Sequence, residues 1–230
     1  MKRLFALLLG AAFVGPAAAA DMYYKAQPLP VAPPSGVWLG AGVAGAVTNS
    51  SVNDVTIPGQ GSFYPTGAVP TISAGYDIWS GSMRGGVRLD YGYDLSRAGI
   101  PVAVPGLGSG FEKNGSLFRE RFTFGITPQA IPLPSNLSTS TITPYITAGA
   151  VEAQRGNCVA IGGGSWCGSR WDVGYTVGGG FDIPIAQGWA INIELLRDQF
   201  NKSFTPSNAP SITFNTYGTW TGMAEVKYKF

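Results

Sequence analysis

Reading back from Phe230, the even positions Phe230, Tyr228, Val226, Ala224, Gly222 and Trp220 are apolar or glycine. The odd positions Lys229, Lys227, Glu225, Met223, Thr221 and Thr219 are mostly polar. A period of two sends alternate side chains to opposite faces of a strand, so this segment lies between two different solvents. The pattern recurs upstream. Trp171, Val173, Tyr175, Val177, Gly179, Phe181 and Ile183 are interleaved with Arg170, Asp172, Gly174, Thr176, Gly178, Gly180 and Asp182. Met83, Gly85, Val87, Leu89, Tyr91 and Tyr93 alternate with Arg84, Gly86, Arg88, Asp90, Gly92 and Asp94. Helical spacing explains none of these runs.

Five further segments complete a set of eight. Trp189, Ile191, Ile193 and Leu195 oppose Asn192 and Glu194; Ile72, Ala74, Tyr76 and Ile78 oppose Thr71, Ser73, Gly75 and Asp77. Val37, Leu39, Ala41 and Val43 alternate with Trp38, Gly40, Gly42 and Ala44. Phe118, Phe122, Phe124 and Ile126 alternate with Arg119, Arg121, Thr123 and Gly125. Glu120 falls on that apolar face, which predicts a membrane-edge position or a bulge. Thr141 to Gln154 is the eighth, with its facing left open by Pro144 and a mixed pattern. Connections between the segments alternate long and short, as expected of external loops and periplasmic turns, although the turn at Ala130 to Ser140 is lengthy. An even number of membrane-crossing strands predicts an all-β, eight-stranded antiparallel transmembrane outer-membrane β-barrel over residues 36–230.

A soluble β-sandwich also alternates, but it covers its outside with charge. Charged residues are only 12% of this chain, about half the share of an ordinary soluble domain. Tyr and Trp also gather near strand ends, where a membrane barrel places its aromatic girdles.

The first 20 residues read as a secretory signal peptide: Lys2 and Arg3, the apolar stretch Leu4 to Val14, then Ala18-Ala19-Ala20. Residues 21–35, with Pro28, Pro30, Pro33 and Pro34, read as a periplasmic tether that cannot join a sheet. The net charge of +2 belongs to Lys2 and Arg3, so no basic patch argues for nucleic acid. The chain has no His, which excludes a Ser–His arrangement and weakens metal and haem binding. No enzymatic activity and no cofactor are expected. Gly178-Gly179-Gly180 lacks the Lys-Ser/Thr and helix of a phosphate loop; on an inward face it leaves room for a large side chain from the opposite wall.

The polar faces hold Arg84, Arg88, Arg119, Arg121, Arg170, Lys227 and Lys229 against Asp77, Asp90, Asp94, Asp172, Asp182, Glu194, Asp198 and Glu225. Matched signs in so narrow a barrel predict a lumen filled by Arg–carboxylate pairs, with a narrow or gated pore as the alternative. Cys158 and Cys167 share one external loop of an exported chain and are expected to form a disulfide, with Trp166 on the constrained tip.

The chain resembles the porin-like eight-stranded outer-membrane proteins of alphaproteobacteria, relatives of the OmpA-type transmembrane domain. The resemblance spans the mature chain: the Ala20-Asp21 junction and Lys25, Val37-Trp38-Leu39-Gly40, Thr143-Pro144-Tyr145-Ile146-Thr147-Ala148-Gly149, Gly174-Tyr175-Thr176-Val177-Gly178-Gly179-Gly180-Phe181, Trp189 with Glu194-Leu195, and the ending Val226-Lys227-Tyr228-Lys229-Phe230. It departs in the cysteine-bearing loop and the long fourth turn. The resemblance implies that Val226, Tyr228 and Phe230 carry a signal read by the outer-membrane assembly machinery. It also implies outer-membrane lipid and lipopolysaccharide as surroundings. Three roles stand at this point: a structural envelope protein, a small-solute porin, and a surface protein binding a ligand through its loops. The oligomeric state is not fixed by the sequence.

Overall fold

A computed structural model describes residues 35–54, 60–100, 107–126, 142–161, 164–205 and 212–230. The signal peptide, most of the tether and the Ala130 to Ser140 turn lie outside these residues. Among the described residues ten strands form one antiparallel sheet: β1 (Gly36–Asp54), β2 (Gln60–Phe63), β3 (Thr66–Ser80), β4 (Met83–Tyr93), β5 (Arg97–Ile100), β6 (Leu107–Ile126), β7 (Thr143–Ile161), β8 (Gly164–Ala186), β9 (Trp189–Phe204) and β10 (Ile212–Lys229). Eight of them close a ring, because β1 pairs with both β3 and β10. The short β2 and β5 only extend its outer end, pairing with β1 and β6.

Closure fixes the shape. Directly opposed residues run from Trp38 through Gly75, Arg88, Arg121, Gly149, Thr176, Asp198 and Thr219 and return to β1 at Thr48, ten residues on. Ten residues of stagger over eight strands, at about 3.3 Å per residue and about 4.8 Å between strands, tilts the strands by about 40°. At that tilt about 9–11 residues cross the hydrocarbon. The outward apolar run of β1, from Val37 to Val47, has this length.

The faces sort as the alternation requires. Outside stand Phe122 at 73% exposure and Ile146 at 67%; inside, Arg88 and Arg119 retain 1%. A barrel with apolar residues outside and charge within is inside out for water and right for a bilayer. Trp189, Tyr228 and Phe230 form an aromatic cluster at the end where the last strand finishes. Tyr91, Tyr93, Tyr175 and Trp220 stand outward further up their strands. Two tight turns, at Gly81 and Gly188, close one end with positive φ of 60° and 76°, which glycine adopts without a Cβ clash.

Two expectations change, and the open facing of β7 is fixed. The segments taken as long loops are largely strand: β1 runs on to Asp54, β9 to Phe204, β7 and β8 to Ile161 and Gly164. Backbone pairing continues past the membrane, where the inward face stays buried but the outward face meets water, so both faces carry polar residues and the alternation that marks a strand in the sequence fades. Glu120 sits outward in a regular stretch of ladder between Leu89 and Ala150, and the bulge lies higher, between Asn114 and Leu117. On β7, Thr143, Tyr145, Thr147 and Val151 point inward, while Ile146, Ala148 and Ala150 point outward.

Candidate functional site: the charged lumen

The lumen is narrow enough for side chains to meet across it, and they do so in tiers. At the turn end, Arg84 pairs with Asp77 at 3.0 Å and also with Asp182. Lys227 donates to Asp182 at 2.9 Å and lies over the rings of Trp38 and Tyr145 at 4.5 and 5.6 Å. Lys229 approaches Asp77 at 3.7 Å. Gly75 matters here, since a Cβ would collide with the Trp38 indole.

The next tier is the most heavily bonded. Arg88 pairs with Asp90 at 2.5 Å and Glu225 at 2.8 Å, with Glu194 at 3.9 Å. Arg121 reaches Asp90 at 2.7 Å and Glu194 at 2.5 Å. Ser73 donates to Glu225. Five strands, β3, β4, β6, β9 and β10, are thus tied through the centre, four of them by ionic contacts and β3 by the Ser73 hydroxyl. Gly40 is required beside this tier, because a Cβ would strike the Glu225 carboxylate and Ser73 Oγ.

Above it, Arg119 forms a two-pronged pair with Asp198, at 3.1 and 2.6 Å, and donates to Thr221 at 3.0 Å. An apolar cluster follows: Ala44, Ala46, Val69, Leu117, Val151, Ala153, Phe200 and Met223 are buried together. On β6 the order is Glu112, Asn114, Leu117, Arg119, Arg121, so apolar contact separates two charged regions along the axis. Beyond the cluster lies the last tier. Arg155 approaches Glu112 at 3.8 Å and Asp172 at 3.6 Å and donates to Asn114 at 2.8 Å. Arg170 pairs with Asp172 at 2.8 Å. Among the described residues Asp94 has no cation; it accepts from Asn114 at 2.8 Å and from the Ser96 amide at 2.9 Å.

Arg84, Arg88, Asp90, Arg119, Arg121, Arg170, Asp172, Asp182, Glu194, Glu225 and Lys227 therefore all lie in ion pairs, while Asp94 lies in a neutral hydrogen-bond network. Sequence reasoning missed Arg155, Glu112 and the apolar cluster. Arg155 continues the inward parity of Tyr145, Thr147 and Val151; the open facing of Thr141 to Gln154 and a strand end placed one residue early concealed it. Glu112 was hidden in a supposed loop. Gly178 and Gly180 do make room, but for Leu196 and Tyr145 of the neighbouring strands rather than for the opposite wall. The disulfide is present between Cys158 and Cys167, which are directly opposed on β7 and β8 with Cα atoms 4.1 Å apart. The Trp166 side chain lies outside the described set.

No protein-family model and no curated protein matches the chain. Several solved barrels are similar in shape. The Neisserial surface protein A is 17% identical, covering 85% of this chain and 98% of its own, with a TM-score of 0.44. A major outer membrane protein of Thermus thermophilus is 12% identical over 84% and 99%, at 0.48. The outer membrane protease OmpT of Escherichia coli is 11% identical over 90% and 99%, at 0.37. Likeness at this level carries no argument about activity; the barrel rests on its own pairing registers.

Proposed function

We propose that this chain is a structural protein of the outer membrane, anchored by its apolar wall, with a lumen that passes no solute and strand ends that project from the cell surface. The observation that carries this is the series of seals: ionic tiers on both sides of a buried apolar cluster. A hydrophobic constriction resists wetting, and paired charges resist separation, so an ion meets two different barriers in sequence. Catalysis, a cofactor and nucleic acid have no place in this reading. The N-terminal 20 residues act as the export signal and residues 21–35 as a periplasmic tether. Lipid and lipopolysaccharide are its surroundings.

The test is planar-bilayer conductance of refolded Asp21–Phe230, with folding verified by altered gel migration before boiling. Folded protein is expected to give no discrete steps. Reproducible steps would make it a small-solute porin instead. A second role, recognition at the surface, is favoured by the long β7–β8 hairpin pinned by Cys158–Cys167, where a ligand would meet a rigid edge. Reduction is then expected to weaken ligand capture while the barrel stays folded.

A further inference from the structure

On the outer wall, just above the outward tyrosines, the barrel carries an open recess of about 260 Å³ lined by Tyr93, Gln154, Gly156, Ser169 and the 113–115 stretch of β6. The bulge of β6 between Asn114 and Leu117 makes it, by lifting the strand out of register with β7. Two glycines keep it open. A Cβ on Gly115 would press on Gln154 Oε1 at 2.9 Å, and one on Gly156 would touch the Lys113 stem at 3.5 Å. The Lys113 stem thus lies against Gly156 and lines the recess.

Directly opposite Lys113 on the neighbouring strand is Arg97. Both are exposed on the outer face, and among the described residues neither has an ion-pair partner within 4 Å. Like charges directly opposed across antiparallel strands destabilise the pair. A protein that keeps such a pair, beside a polar recess, has a use for concentrated positive charge. The height of the site says what that use is. Tyr93 forms its lower edge, and an outward tyrosine at the top of the apolar band sits at headgroup level. Below it, Glu152 and then Glu120 face outward on the same wall, which bars an anion from lying deeper.

We propose that Arg97 and Lys113 bind a phosphate of a glycolipid headgroup in the outer leaflet, with the sugar seated in the recess against Tyr93, Gln154 and Ser169. The guanidinium supplies two parallel donors to the phosphate and the ammonium supplies a point charge. Tyr, Gln and Ser offer the hydroxyl and amide partners that a sugar ring needs. The inference rests on the outer-membrane reading above.

The experiment uses the refolded mature chain in detergent and measures retention of purified lipid A by native mass spectrometry. Its arms are bisphosphorylated lipid A, dephosphorylated lipid A, phosphatidylcholine, and inorganic phosphate as competitor. The wild-type chain is expected to hold bisphosphorylated lipid A at least tenfold more tightly than the dephosphorylated form. Arg97→Ala with Lys113→Ala removes that preference, while Arg97→Lys retains part of it. Both positions are exposed, and unchanged gel migration of the variants certifies the barrel. Failure of inorganic phosphate to compete at millimolar levels identifies the lipid as the source. Competition by it would overturn the glycolipid assignment and leave a soluble anion site. Equal retention by the double variant, or no discrimination by phosphate content, would overturn the site altogether. A chain that never inserted into vesicles would instead sink the outer-membrane reading.

Discussion

Arg121 donates to Asp90 and Glu194 from a position that water does not reach, at side-chain exposures of 0%, 2% and 0%. Arg88 still holds Asp90 at 2.5 Å, but it lies 3.9 Å from Glu194 and cannot replace Arg121 there. Arg121→Ala therefore strands negative charge in a closed space, at a cost of about 3–5 kcal/mol. The expected outcome is a lower urea midpoint for unfolding in detergent micelles, with little change from Asp94→Asn, whose carboxylate has only neutral partners. Equal effects from the two substitutions would show that the tiers contribute nothing as ion pairs. At this scale the sequence was legible in parity and not in partnership. Inward charge on Arg84, Arg88 and Arg121 could be read from alternate positions, because strand geometry forces it. That Lys227 meets Asp182 on β8 could not, because the match depends on stagger and on the rotamers of side chains far apart in the chain.

The elements differ in how much of them the membrane wrote into the sequence. Within the bilayer each face meets one solvent, and β4 and the lower half of β10 were readable residue by residue. Above it the inward face stays buried but the outward face meets water and turns polar, so in sequence β2, β5 and the upper reaches of β1, β7 and β9 read as loop. The β7–β8 hairpin shows what stabilises such an extension. Its disulfide closes a short loop, worth about 2–3 kcal/mol in the chain-entropy model, and lies three residues beyond Arg155 and Arg170 of the outermost ionic tier. Cys158→Ser with Cys167→Ser is expected to speed proteolysis of the hairpin severalfold and leave the boiling-dependent gel shift intact; loss of that shift would make the staple part of the barrel's own stability. The last strand raises a separate point. Phe230 is 69% exposed and contacts Tyr228 edge-on at 5.1 Å between centroids. So little burial means that Phe230→Ala should refold in vitro like the parent. If the end of β10 is the assembly signal, the same variant accumulates in the periplasm of cells. Normal membrane levels would remove that role.

For the molecule as a whole, the closed ring sets a lumen so narrow that every inward side chain is a structural element, and the two kinds of seal fail differently. Truncating Arg88 and Arg121 to Ala opens space in the ionic tier, but Leu117, Val151, Phe200 and Met223 still exclude water above it. Truncating Leu117 and Phe200 opens the apolar cluster, but the charges below remain paired. Barriers in series make conductance depend on the larger of those left, so either double variant is expected to stay silent in a planar bilayer. The quadruple variant, with Arg88, Arg121, Leu117 and Phe200 all truncated, breaches both kinds of seal and is the one expected to give the first steps, small ones because the Arg84, Arg119 and Arg155 pairs still narrow the path, if it still shows the folded gel migration. The order of silence is informative because a gated pore behaves otherwise: there the ionic tier alone is the gate, and Arg88→Ala with Arg121→Ala opens it. Steps from that double variant would transfer the function from support to transport, while steps from the quadruple variant alone would establish that the apolar cluster, invisible as a feature of the sequence, completes the seal.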